Sequence, residues 1–182
     1  LGRWDVSVAF FHADIQEWIT AIPPPGVEEN GWAWQLLKAM YGTRQASVLW
    51  GELVAKVLTA NGFERTASSG QLYVHVEWDV SLVVHGDDFL AEGVESSLQR
   101  VDVVRQDNLI AKILPRVGAG HSREGRYLNR IIGYSEKGFP YEADSRHVPK
   151  LLWMLVLESA KPCDTPSFRD TGANVRTRMH ML

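Results

Sequence analysis

Apolar residues come in short, punctuated runs along this chain, and their period changes from run to run. Residues 4–11, Trp-Asp-Val-Ser-Val-Ala-Phe-Phe, are rich in β-branched and aromatic side chains and read as a buried strand. Asp14 and Glu17 follow in a more polar segment, helical or turn-like. Pro23-Pro24-Pro25-Gly26 ends it with a stiff exposed connection. Residues 32–37 read as a second strand or short ribbon, and Tyr41-Gly42 as a turn. Trp50, Leu53, Val54, Val57 and Leu58 then fall at i, i+3, i+4, i+7 and i+8, the apolar face of an amphipathic helix. Asn61-Gly62 is a helix stop.

Period two returns over residues 71–78, a strand expected to pair with residues 80–85. These form the rising arm of a hairpin with Gly86-Asp87-Asp88 at its tip and residues 89–93 as its falling arm. Residues 95–104 predict a helix with Leu98, Val101 and Val104 inward and Ile110 as a further inward candidate. Residues 112–126 are basic and Gly-containing, with no period that places them. Residues 127–134 predict a strand, and residues 137–142 a turn and short strand. Residues 147–157 predict a helix with Pro149 in its first turn, where proline is tolerated. From residue 161 the chain is polar and aperiodic, a linker or frayed end. No internal repeat is present.

The hairpin tip changes the picture. Two adjacent carboxylates repel one another unless cations sit between them, and oxygen-rich sites of this kind suit Mg²⁺ or Mn²⁺. Taken alone, Asp87-Asp88 reads first as an ordinary solvated turn. The second acid far upstream bears on that choice: Asp5 interrupts an apolar strand, where a carboxylate must be paired, hydrogen-bonded or metal-bound unless it faces water at the edge. If the first strand lies beside the hairpin, Asp5 and Asp87 can share two such ions, about 3.5–4 Å apart, that clamp the oxygens of a displacement at phosphorus. Arg44 and Gln45 precede the predicted helix, where free N–H groups favour anions; on its own Arg44 reads as a surface cation.

Composition bounds the alternatives. A chain of 182 residues is one domain, or one and a half. No stretch of about 18 apolar residues predicts a membrane span. Cys163 is the sole cysteine, so no intrachain disulfide can form and an intracellular setting is expected. No signal peptide precedes the first strand, and the missing initiator Met predicts a fragment that continues upstream. Net charge is −3, yet residues 1–97 carry 5 basic and 13 acidic residues (−8), and residues 98–182 carry 14 and 9 (+5). Such asymmetry suits a protein that handles a polyanion through cations, or is a surface fluctuation. The chain holds no nucleophile elbow, no phosphate loop with lysine and no zinc spacing among its six histidines.

The ordered motifs resemble the reverse transcriptase domain of copia-type long-terminal-repeat retrotransposons. Asp5-Val6-Ser7-Val8-Ala9-Phe10-Phe11-His12-Ala13-Asp14 is similar to that family's first palm motif. Residues 37–50, with Tyr41-Gly42-Thr43-Arg44-Gln45-Ala46, are similar to the second. Gly62-Phe63 and residues 69–74 resemble the lead-in to the hairpin. Val84-His85-Gly86-Asp87-Asp88 stands where the family has its paired aspartates. Residues 161–166, Lys-Pro-Cys-Asp-Thr-Pro, resemble the segment that closes the domain. Three features depart from the family pattern. His85 and Gly86 precede the aspartates, Ser47 stands where Pro is usual, and the chain opens at the first palm motif, without fingers or a complete thumb.

The resemblance implies an α+β fold, a polymerase palm-like antiparallel sheet with helices packed on one face, over residues 1–166, and a linker or disordered tail over 167–182. It implies RNA-directed DNA synthesis by two-metal nucleotidyl transfer. Asp5, Asp87 and Asp88 would be the catalytic, metal-binding aspartates, with the backbone carbonyl of Val6 as a further ligand to two Mg²⁺ or Mn²⁺ ions. Phe10 would lie under the incoming sugar and exclude a 2′-hydroxyl. Tyr41 and Gly42 would line the nucleotide pocket, with Arg44 and Gln45 near nucleotide or template. The implied partners are an RNA template, a DNA primer, deoxynucleoside triphosphates and the rest of a retrotransposon polyprotein, in cytoplasm, nucleus or a virus-like particle, with no membrane. Three rivals stand beside it: a catalytically dead remnant that only binds nucleic acid, another metal-dependent phosphotransferase or nuclease, and a plain structural domain.

Overall fold

Strand alternation builds the core of this protein. In the segment 80–85, Val80, Leu82 and Val84 are buried while Ser81, Val83 and His85 turn to the other face, the period of two that a half-buried strand requires. The computed structural model describes residues 1–27, 31–144 and 146–161, which fall into two compact units, Leu1–Asp144 and Ser145–Leu182. In chain order the first unit contains β1 (Gly2–Val6), a 3₁₀ helix (Ala9–His12), β2 (Thr20–Ala21), β3 (Trp34–Gln35), α1 (Ala46–Ala60), β4 (Glu64–Arg65), β5 (Leu72–His75), β6 (Val80–His85), β7 (Asp88–Glu92), α2 (Glu95–Asn108), β8 (Ala111–Leu114), β9 (Glu124–Tyr127), β10 (Arg130–Gly133) and β11 (Tyr141–Glu142). The second contains α3 (His147–Met154), with Pro149 in its first turn.

Six strands form one sheet in the order β4-β5-β6-β7-β1-β8, antiparallel at every pairing. Trp4 and Val6 of β1, Leu82 and Val84 of β6, and Phe89 and Ala91 of β7 cluster with Trp50, Val54 and Leu58 of α1 and Leu98 and Val101 of α2. Both helices thus cover one face of the sheet, and the fold is α+β with an antiparallel sheet. Trp4 also donates its indole N–H to Asp102 of α2 at 2.6 Å, and Arg116 bonds the other oxygen of that carboxylate at 2.6 Å. The remaining strands make a three-stranded sheet, β11-β10-β9, and a two-stranded ribbon, β2-β3. No helix among the described residues is long and apolar enough to cross a membrane.

Several expected elements are redrawn. The first strand stops at Val6 instead of running to Phe11. Val8 takes a left-handed conformation (φ 48°) that opens the 3₁₀ helix, so Phe10 is placed by that turn. Asp14 and Glu17 lie outside any helix; Asp14 bridges to Lys38 across an isolated pairing. The strand expected over 127–134 is two strands, the end of β9 and β10, turned back at Leu128 and Asn129, whose φ values of 49° and 62° are both positive. The unplaced basic stretch supplies β8, an edge strand, and the start of β9. Ile110 is exposed because α2 has ended before it; Leu109 is buried in its stead. The closing motif beyond Lys161, the 166 boundary and the expected tail lie outside the described residues.

Candidate active site

The open face of the sheet, opposite the helices, carries a row of charged side chains. Residue pairs opposite one another across neighbouring strands share a face. His85 of β6 pairs with Asp88 of β7, Asp88 pairs with Asp5 of β1, and Asp5 pairs with Lys112 of β8. Four strands therefore present His85, Asp88, Asp5 and Lys112 in line, two carboxylates side by side with a basic residue at each end. Strand spacing is about 4.8 Å, which sets the exposed Asp5 beside the half-buried Asp88. Asp88 records this. Burial first, then Asp87, then Asp5, push its carboxyl above the ordinary value, while His85 works the other way.

Asp87 stands at the tip, beyond the ladder. The Val6 N–H donates to its carbonyl at 2.8 Å, which folds the tip back onto the end of β1. From the helix side, the Trp50 indole N–H donates to the Gly86 carbonyl at 2.8 Å. Gly86 sits at φ 61°, a left-handed conformation that residues with a Cβ adopt only at a cost. The tip is thus held from both sides through backbone atoms, leaving the Asp87 carboxylate exposed.

The residues expected around the acids divide into two groups. Phe10 packs its ring 4.5 Å from that of Tyr41, and Phe11 meets Tyr41 edge-on at 6.0 Å; Gly42 follows at φ 90°. Phe10 and Gly86 share the wall of a cavity of about 290 Å³ with Trp50, Arg65, Gln71 and Tyr73. Arg44 and Gln45 line a separate cavity with Gln16 and Glu52, where the Gln45 amide donates to Glu17 at 2.6 Å; none of the three aspartates lines it. Gln45 directly precedes α1 as its cap residue, as expected, without a side-chain capping bond.

Three contributors escape a reading of the sequence. Trp50 reads as helix core, and its bond to Gly86 leaves no periodic trace. Lys112 lies in the aperiodic stretch, so its place beside Asp5 becomes visible only with β8 in the sheet. Arg3 is buried two residues before Asp5 and donates to the Arg126 carbonyl at 2.7 Å and the Pro115 carbonyl at 2.8 Å; a cation inside a strand is the one sequence signal it offers.

Among the described residues, no three His, Cys, Asp or Glu side chains are already gathered around one metal position. The donor set still has the chemistry of a hard divalent cation: carboxylate oxygens from two strands and a tip, with repulsion that such a cation relieves.

An antiparallel α+β sheet with an acidic pair beside a hairpin tip is an architecture suited to metal-assisted phosphoryl chemistry. Residues 1–107 match the family described as reverse transcriptase (RNA-dependent DNA polymerase). The chain belongs to the reverse transcriptase family, and the match is consistent with the copia type that the motifs imply. It is also similar to the putative transposon Ty5-1 protein of Saccharomyces cerevisiae, 29% identical over 123 residues. That alignment covers 60% of this chain and 40% of the yeast protein. No solved structure matches the chain.

Proposed function

We propose that residues 1–144 form the palm-like catalytic part of an RNA-directed DNA polymerase, and that the row formed by Asp5 and Asp88, with Asp87 at the tip, is its nucleotidyl-transfer site. One observation carries this reading: Asp5 and Asp88, 83 residues apart in sequence, are direct cross-strand partners on the open face. Two Mg²⁺ or Mn²⁺ ions held by these carboxylates, with the Val6 carbonyl as a further ligand, would neutralise the charge that develops when a primer 3′-hydroxyl attacks the α-phosphorus of a deoxynucleoside triphosphate and pyrophosphate departs.

The protein's own part is placement. The β6–β7 hairpin and β1 fix the spacing of the carboxylates, and the Val6 and Trp50 bonds fix the tip. Phe10, braced by Tyr41, supplies bulk against a 2′-hydroxyl. The cavity beside Gly86 suits nucleic acid because its Trp50, Tyr73 and Phe10 walls offer aromatic surface to a base and its Arg65 offers charge to a phosphate. An RNA template, a DNA primer and deoxynucleoside triphosphates are the partners of this reading, within a retrotransposon polyprotein.

Primer extension on an RNA template with Mg²⁺ or Mn²⁺, run on the full chain and on Asp87→Asn, tests it. The expected result is extension that falls at least about 100-fold in the variant, the scale of losing an electrostatic partner of the transition state. Extension that survives in Asp87→Asn removes the tip from the site. Nucleic-acid binding without extension in either protein replaces this reading with that of an inactive binding remnant.

A further inference from the structure

β9 lies against the open face of the large sheet through a close fit. A side chain at Gly125 would collide with the Arg3 guanidinium, and Arg3 donates to the carbonyls of Arg126 and Pro115 on either side of that contact. Burial pulls the Arg3 guanidinium below its ordinary value, yet the clamp supplies two carbonyl acceptors for its charge. Residues two apart on a strand point to the same side. Gly125 faces Arg3, so Tyr127 is carried on the same side of β9, and along β1 the same step leads from Arg3 to Asp5 and its partner Asp88.

Tyr127 is 8% exposed, and its hydroxyl is buried with no hydrogen-bond partner among the described residues. A buried phenol normally finds a partner. Burial is the main reason its proton is held up to about 12, and the Asp88 carboxylate, within electrostatic reach, is the next. The phenol is therefore a donor without an acceptor among the described residues, and Asp88 is a carboxylate within its electrostatic reach. An enclosed oxygen of this kind is out of reach of a bulky substrate but within reach of a side-chain rotation or a single buried water.

We infer that Tyr127 is a positioning residue for Asp88: delivered by the clamp between Arg3 and the β9 backbone, its hydroxyl donates to the Asp88 carboxylate, directly or through one water, and fixes the direction in which that carboxylate offers its remaining oxygen. The inference rests on the reading of the acidic row as the site, because only there does the aim of Asp88 matter for function. The same contact makes β9 and β7 report on one another without any ligand.

The test is a double-mutant cycle in thermal unfolding of the full chain: wild type, Tyr127→Phe, Asp88→Ala and both. Tyr127→Phe is expected to lower the melting temperature by about 3–6 °C when Asp88 is present and to leave the Asp88→Ala background unmoved. An equal shift in both backgrounds, or no fall with Asp88 present, overturns the inference. A second readout is Mn²⁺ affinity by electron paramagnetic resonance, expected to weaken about tenfold in Tyr127→Phe, the scale of losing a partner that orients a ligand. Equal affinity in the two proteins overturns the role toward the metal. If the wild type binds no Mn²⁺, the polymerase reading fails, while the melting cycle still decides whether Tyr127 holds Asp88.

Discussion

Asp88 is the side chain on which the electrostatics of the row converge. Its carboxyl is raised by burial, by Asp87 and by Asp5, in that order. A group that holds its proton more tightly in the folded than in the unfolded chain makes stability fall as pH rises. The window runs from the ordinary aspartate value up to the raised one of the folded protein. Below it, Asp88 is protonated in both states and costs nothing; above it, the full penalty is present. Melting temperatures measured across this window are expected to decline in the wild type and to decline less in Asp88→Asn, which then melts higher at neutral pH. Equal slopes in the two proteins would remove Asp88 from the account. Of the residues in and beside this row, Asp5, Asp87 and Asp88 were legible in the sequence because an acid inside an apolar run stands out. Lys112 and Tyr127 were not, since a lysine in a basic stretch and a tyrosine in a strand look ordinary until the pairing partners are known.

The β6–β7 hairpin, α1 and the end of β1 act together as the holder of the acids. The helix contributes one bond, from the Trp50 indole to the Gly86 carbonyl. Trp50→Phe keeps an aromatic ring in the core and deletes that bond, leaving a carbonyl at the tip unpaired. A loss of about 1 kcal/mol is expected, a fall in melting temperature of roughly 2–4 °C for a chain of this size, together with reduced primer extension from a loosened tip. Unchanged stability and activity would show that the Val6 bond to Asp87 holds the tip alone. Element boundaries separate what could be read from what could not. α1 announced itself by five apolar positions at helical spacing and a clear stop, and the β5–β6–β7 meander by alternation. The β9–β10 hairpin did not, because its turn uses Leu128-Asn129 where Asn-Gly is the usual signal for two positive φ values. The end of β1 was equally hidden: Val8 is a strand former, and only the ends of β7 and β8 on either side stop the ladder at Val6.

Across the chain, charge is divided between an acidic half that carries the row and a basic half that carries β8, β9 and β10. On the reading proposed above, the basic half would supply contacts to phosphates, each of which would release condensed counterions. Affinity for an RNA–DNA hybrid, followed by fluorescence anisotropy, is expected to fall by at least about tenfold between roughly 50 and 200 mM salt if several phosphates are engaged. A flat salt dependence would leave the division of charge without a partner. Individual strands and helices were readable from the periods, whereas the packing of the helices on one face of the sheet came with the family resemblance. The order of strands was not, because nothing local says that β1 belongs between β7 and β8.

That order governs how the chain reaches its native state. β1 pairs on one side with a strand 83 to 89 residues further on and on the other with one 105 to 111 residues further on. Until β7 and β8 exist, Trp4 and Val6 have no sheet to join, and closing loops of that length precedes any reward from the contacts. The ladder that closes these long loops is also the one that sets two carboxylates side by side. If the acidic row holds the divalent cations proposed above, refolding followed by tryptophan fluorescence is expected to speed up when Mg²⁺ or Mn²⁺ is present from the start, and an unchanged rate would separate the closing of this ladder from any metal.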